Sequence, residues 1–231
     1  MRTIALLTQK GGAGRTTLAA SLAVAAVQAG ERVIALDVDP QASLSRWGKR
    51  REAANAANKV VIEPLEGERL PRLRAIVEGL AGVGFTIAIF DTAGTDGTAA
   101  RFVTEAADLC LLPTRPTHLD VEATAATFRA VFLAKRKAAF VLNQCPPTFR
   151  SSRTRESADG LAHLGVLAEP LLYARMDFQD AIAAGLGVTE YARSGRAAQE
   201  VGALWNWVRA QFDSTRSETS VADLPCRQVA A

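Results

Sequence analysis

The sequence predicts one α/β domain built on a doubly wound, mostly parallel sheet with helices on both faces. Three observations lead there. Apolar runs of five or six residues recur along the chain, as strands buried on both faces require. Longer stretches with helical spacing separate them, so strand and helix alternate from the start. At 231 residues, 48% hydrophobic and 22% charged, the chain has the size and apolar content of a globular domain. That composition excludes a disordered chain or a fibre, and no apolar run reaches the ~18 residues of a membrane span.

Residues 3–8 form the first apolar run and end in a Gly-rich loop; residues 16–29 then read as an Ala-rich helix stopped by Gly30. A second strand at 32–36 closes on Asp37-Val38-Asp39-Pro40, followed by a helix over 41–54 and a short strand at 59–63. Pro71 suits the first position of a helix over 71–80, where the missing N–H costs no hydrogen bond. Further strands are expected at 85–90, ending at Asp91, and at 109–113 and 138–143. Later helices are expected over 119–134, 155–164 and 197–212. Residues 1–213 thus read as one domain without repeat or linker. Residues 214–231, polar and without helical periodicity, read as a flexible C-terminal tail.

Lys10-Gly11-Gly12 interrupts the N-terminal apolar run too early for a signal peptide. Cys110, Cys145 and Cys226 have neither a disulfide framework nor zinc spacing, which points to a reducing, cytoplasmic setting. His118 and His163 lack ligand spacing and read as structural. The formal charge is only +3, yet it is unevenly distributed. Between residues 123 and 155 there are seven basic residues and no acidic one, and Arg46, Lys49, Arg50 and Arg51 form a second cluster. Clustered positive charge suits a polyanion, because neutralising phosphates releases counterions. The same clusters also read as an ordinary solvated surface in an arginine-rich chain.

The loop Gln9-Lys10-Gly11-Gly12-Ala13-Gly14-Arg15-Thr16-Thr17 joins the first strand to the first helix. Its glycines let backbone N–H groups approach phosphate oxygens, and the helix points its positive end at the same place. It departs twice from the ordinary P-loop pattern GxxxxGK[ST], with Gln9 for the first glycine and Arg15 for the lysine. Arg15 and Thr16 nevertheless supply a cation and a metal-binding hydroxyl. Alone, such a loop is also a plain structural turn, and Asp37 and Asp39 alone are also a strand-end turn.

Further segments join the loop: Asp37-Val38-Asp39-Pro40-Gln41, the strand ending in Asp91-Thr92, Leu111-Leu112-Pro113-Thr114-Arg115-Pro116, Val141-Leu142-Asn143, and the stretch from Glu190 to Glu200. Together, over roughly residues 2–212, they resemble the ParA/MinD family of deviant Walker ATPases, and most of all its small ParA-type partition ATPases. The resemblance implies a P-loop NTPase fold with ATP and Mg²⁺ at the carboxyl ends of the strands. It assigns Gly11, Gly12, Ala13, Gly14, Arg15, Thr16 and Thr17 to the phosphates and Asn143 to the adenine. Thr16, Asp37 and Asp91 would surround Mg²⁺ and its waters. Asp39 would position the attacking water, and Lys10, the family's signature lysine, would reach the partner's phosphates across a nucleotide-sandwiched dimer.

The resemblance further implies an ATP-dependent homodimer that binds DNA without sequence preference and partitions a plasmid, a chromosome region or another cargo. Arg193 and Arg196, supported by Arg150, Arg153 and Arg155, would contact the DNA backbone. A ParB-like centromere- or cargo-binding protein would stimulate hydrolysis, and the protein would be cytoplasmic and nucleoid-associated, not membrane-bound. A MinD-like membrane role needs a basic amphipathic C-terminal helix, whereas residues 214–231 hold only Arg216 and Arg227, with Pro225 between them. A metabolic P-loop enzyme would need neither Lys10 nor a DNA-binding dimer.

Two departures qualify these expectations. Arg15 keeps the charge of the P-loop lysine but is a bulkier planar fork. Misplacing a charge-assisted bond of about 1.5–3 kcal/mol costs roughly tenfold to a hundredfold, so weakened ATP binding and slow or absent turnover are expected. Ala93 and Gly94 follow Asp91-Thr92 where relatives often have proline, which predicts a more flexible loop. Cys110 and Cys145 do not repeat the cluster context of the nitrogenase iron protein, which shares this fold, and read as buried or incidental thiols.

Overall fold

Six strands carry the apolar runs: β1 (Arg2–Leu6), β2 (Val33–Asp37), β3 (Val61–Pro64), β4 (Ile87–Asp91), β5 (Leu109–Thr114) and β6 (Lys137–Leu142). In the computed structural model, which describes residues 1–94, 97–147 and 151–213, they form one sheet in the order β3-β2-β4-β1-β5-β6. Every pairing in it is parallel. Side chains alternate between two cores, with Ile4, Leu6, Ile87 and Ile89 on one face and Ala5, Leu7, Ala88 and Phe90 on the other. Two buried faces explain why the strands read as continuous apolar runs.

The first core is covered by α1 (Arg15–Gln28), α2 (Ser43–Ala53), α7 (Met176–Ala183), α8 (Val188–Tyr191) and α9 (Arg196–Asp213). The second is covered by α3 (Leu73–Gly82), α4 (Gly97–Ala106), α5 (His118–Leu133) and α6 (Ser152–Leu164). Every residue of α1 from Leu18 to Ala26 is buried. Small Ala side chains let this helix lie between the sheet and α9, which is why it shows no polar stripe. Trp47 anchors α2 with no exposed surface, its indole N–H donating to the Leu186 carbonyl at 3.2 Å. Burying a large apolar side chain of this kind contributes about 1.5–3 kcal/mol.

Two sequence expectations change. Pro71 lies inside a 3-10 turn, Gly67–Arg72, and α3 proper begins at Leu73. Leu70 and Leu73, three residues apart, are both buried, and the three-residue turn stacks them on one side. The helix expected from residue 155 begins at Ser152, because the Ser151 hydroxyl accepts the Thr154 N–H at 3.3 Å and caps it. The tail expected at 214–231 lies outside the described residues. No helix among the described residues is long and apolar enough to cross a membrane.

The register positions the chemistry. Leu6 and Asp37 both pair with Asp91, so the ends of β1, β2 and β4 stand level. The Gly-rich loop leaves β1 at that level, and the loops after β2 and β4 flank it.

Candidate functional site

The loop between β1 and α1 is shaped by glycine and clamped by the end of β6. Gly12 and Gly14 have φ of 79° and 90°. A Cβ on Gly14 would stand 2.6 Å from Asn143 Nδ2. That closeness is used: Asn143 Nδ2 donates to the Ala13 carbonyl at 2.8 Å, and Gln144 Nε2 donates to the Gly12 carbonyl at 2.8 Å. The first turn of α1 carries no acidic residue, so nothing within the helix offsets its positive dipole end. Asn143, expected at the adenine, lies against the loop backbone and is largely buried.

Asp91 is fully buried, and neither of its carboxylate oxygens has a partner in hydrogen-bond geometry. Its position is fixed by neighbours: the Thr92 hydroxyl donates to the Leu6 carbonyl at 2.8 Å, and Val38 N–H donates to the Asp91 carbonyl at 2.8 Å. Burial pushes the carboxyl up to about 7; the Thr16 hydroxyl and the Arg15 guanidinium oppose that shift, while Asp37 and Asp39 add to it. A buried acceptor without donors beside a threonine hydroxyl and a helix N-terminus fits a hydrated divalent cation carried by phosphate. Among the described residues no group of three or more His, Cys, Asp and Glu could hold a metal alone. Magnesium suits such a place, because it keeps several waters and takes phosphate oxygens.

Asp37, on the neighbouring strand, is already engaged. Its Oδ2 accepts from Ser45 N at 2.7 Å and Ser45 Oγ at 2.8 Å, and its Oδ1 accepts from Asp39 N at 3.2 Å. Helix α2 starts after Ala42, a left-handed residue with no capping side chain, so Asp37 satisfies an otherwise orphaned N–H. It therefore does the work of a turn residue and keeps only its remaining lone pairs for a metal's waters. Asp39 is half-buried, and its Oδ1 accepts from Gln41 N at 2.9 Å.

Arg15 does not project into the open loop. Its Nε donates to the Thr92 carbonyl at 2.8 Å, and its Nη1 donates to the carbonyls of Thr8 at 2.9 Å and Lys10 at 3.1 Å. The guanidinium bridges the loop to the segment after β4, a task that a fork with several donors performs and a single ammonium does not. Burial lowers its pKa, and Asp91 and Asp39 counter that shift.

Two residues absent from the sequence-based site stand beside this loop. Arg115, just beyond β5, places Nη1 3.7 Å from where a Cβ on Gly12 would be. Its Nε and Nη2 fork onto the Asp120 carboxylate at 3.1 Å each. Burial alone would raise the Asp120 carboxyl, but the Thr117 hydroxyl, the Arg115 fork and the Lys10 charge hold it below the usual range. The pattern Thr117-x-x-Asp120 at a helix start is a readable signal for this carboxylate, since Thr117 caps α5 and Asp120 sits in its first turn.

The expected DNA-contacting arginines divide between the two helical layers. Arg193 and Arg196 are exposed where α8 passes into α9, on the layer that holds α1. Arg153 and Arg155 are exposed on the first turn of α6, in the other layer. Arg150 lies outside the described residues.

Comparison with known proteins identifies the family and the fold. The family model described as VirC1 protein matches residues 1–200. The chain is 33% identical over 216 residues to a maintenance of carboxysome distribution protein A from Gloeobacter kilaueensis, covering 92% of this chain and 94% of that protein. It is 31% identical over 177 residues to protein virC1 from Rhizobium rhizogenes, covering 74% of this chain and 76% of that one. An ATP complex of McdA from Cyanothece shares the fold with a TM-score of 0.76 at 15% identity, over 92% of this chain and 96% of that one. The Gly-rich loop with its signature Lys10, the paired strand-end aspartates and these likenesses together place the chain in the VirC1 family, among the ParA/MinD-type deviant Walker ATPases.

Proposed function

We propose that this chain is an ATP-dependent dimerising switch that binds DNA through its backbone and positions a plasmid, a chromosome region or another cargo. One observation carries the reading: the buried Asp91 carboxylate, with both oxygens unpartnered, beside Thr16 at the mouth of the Gly-rich loop. A fold keeps such a charge where a ligand supplies what it lacks. Bound Mg-ATP would supply the transferable phosphoryl group and the cation that neutralises its charge. The loop from Gly11 to Thr17 would hold the phosphates through backbone N–H groups, with Thr16 on the metal and Asp91 and Asp37 on its waters. Asp39 would orient the attacking water, and Lys10 would reach the nucleotide of the second copy.

The relative named for carboxysome distribution supports a positioning role, and it leaves the cargo open. The partner would be a ParB-like cargo-binding protein that stimulates hydrolysis. Turnover would be slow, because Arg15 must leave three carbonyls before it can serve phosphate. Light scattering after gel filtration, with Mg²⁺ and either a non-hydrolysable ATP analogue or ADP, tests the switch. A dimer with the analogue alone, and salt-sensitive retention of random-sequence DNA by that dimer only, is the expected result. A chain that stays monomeric and ignores DNA in both states overturns the reading.

A further inference from the structure

The geometry points to Arg115 as a polyphosphate-binding residue that faces the Gly-rich loop and takes up the charge that Arg15 withholds; this rests on the nucleotide reading above. Arg15 occupies the P-loop lysine position, yet its Nε and Nη1 are engaged by the carbonyls of Thr92, Thr8 and Lys10. With those two nitrogens held, Arg15 offers an incoming phosphate less than the loop's pattern calls for. Arg115 approaches the loop at Gly12. Two of its nitrogens, Nε and Nη2, are fixed on Asp120, and the third, Nη1, stands 3.7 Å from where a Cβ on the exposed Gly12 would be.

The mount is rigid. Pro116 follows Arg115, and the Thr117 side chain caps α5 and donates to Asp120. At the end of β5, the hydroxyls of Thr114 and Thr124 are 3.0 Å apart and hold the strand to that helix. The Arg115 side chain is 36% exposed while that of Asp120 is 5% exposed, so the carboxylate is sealed and the guanidinium edge reaches the open loop. A guanidinium held on two nitrogens presents its third in a set direction, which is the way an arginine recognises a phosphate oxygen without losing much side-chain freedom. Arg115 thus separates nucleotides by their phosphates and leaves their base and sugar alone.

Fluorescent ATP and AMP analogues titrated into the full chain test this, with Arg115→Gln, Arg115→Lys and Arg209→Ala beside the parent. Gln retains an N–H for Asp120 but removes the charge; Arg209, exposed near the far end of α9, controls for net charge. Arg115→Gln is expected to weaken ATP about tenfold and AMP not at all, the scale of one charge-assisted hydrogen bond. Arg115→Lys, whose single ammonium cannot hold Asp120 and a phosphate in the same way, should lose part of the ATP affinity, and Arg209→Ala none of it. Parent and Arg115→Gln proteins that bind ATP equally overturn this inference alone, as does a parallel loss for ATP and AMP, which marks a structural role. A parent that binds neither nucleotide overturns the nucleotide reading and this inference with it.

Discussion

Replacing Arg15 by lysine separates what this side chain does for the fold from what it does for a ligand. In the structure its three hydrogen bonds tie the Thr8 and Lys10 carbonyls to the Thr92 carbonyl, across 77 positions of sequence. A lysine ammonium stands about where the guanidinium carbon does, so it keeps contact with one side of that bridge and loses the Thr92 bond. A hydrogen bond from a charged donor is worth about 1.5–3 kcal/mol, and the half-buried position takes the lower end. At roughly 2–4 °C per kcal/mol for a chain of this size, Arg15→Lys should melt about 3–6 °C below the parent without nucleotide. The same bonds oppose ligand binding, since Arg15 must break them to meet a phosphate. Removing about 1.4 kcal/mol of that opposition strengthens ATP binding about tenfold. Scanning fluorimetry and calorimetric titration with Mg-ATP read the two effects side by side. A lysine variant that melts with the parent and binds ATP no more tightly refutes the reasoning, because the carbonyl contacts would then compete with nothing.

Asp91→Asn removes a buried charge without donors, so the nucleotide-free protein should melt several degrees higher at pH 8 while Mg²⁺ loses its effect on ATP affinity. Glu190→Gln breaks the buried pair with Arg51, whose closest contact is 2.7 Å, and should cost about 3–5 kcal/mol near neutrality. Burial alone would raise the Glu190 carboxyl, but Arg51, the Gly187 N–H and Asn58 together hold it below its ordinary 4.5. Its stabilisation is therefore present above about pH 4.5 and lost as pH falls through the folded value. Melting curves should show the parent losing stability below about pH 4.5 more steeply than Glu190→Gln. Arg193→Ala combined with Arg196→Ala should leave melting and ATP binding unchanged, while ATP-dependent DNA retention falls and its log–log salt slope shrinks by about 2.

The fold was legible in the sequence because both faces of the sheet are buried. Strands such as Ile87–Asp91 then have no polar alternation to blur them, and each ends at a turn residue that reads as a boundary. Helices α4, α7 and α8 were not legible. Short, Gly-bounded and half-exposed, they are set by packing against α1, α3 and neighbouring helices rather than by propensity. In the site, motif spacing located Asp37, Asp91 and the loop, since all three follow strand ends. Spacing did not show that Asp37 caps α2, that Asn143 braces the loop, or that Arg15 turns inward. Those outcomes depend on which side chain reaches an orphaned backbone group first. The contact at Asp37 spans 8 residues, but those at Asn143 and Thr92 span 130 and 77.

The site holds two opposite electrostatic imbalances that meet at the end of β4. Asp91 is a buried carboxyl with no partner in hydrogen-bond geometry, helped only by the nearby Thr16 hydroxyl and the Arg15 charge, and Arg15 is a half-buried cation engaged three times by main-chain carbonyls. They offset each other only through space, because Arg15 donates to the Thr92 carbonyl and not to the Asp91 carboxylate next to it in sequence. Gly94 permits this arrangement: a Cβ there would stand 3.0 Å from the Gln9 carbonyl and 3.2 Å from Arg15 Nη2. A Mg-nucleotide would relieve both with one binding event: Asp91 would take up water on the metal, and Arg15 could exchange the Thr92 carbonyl for a phosphate oxygen. The segment after β4 would then be released at Thr92 as it is gripped at Asp91. Under the proposed function, that exchange makes the loop respond to the nucleotide's phosphates, and it requires an arginine, because a lysine at position 15 would leave Thr92 unheld in both states.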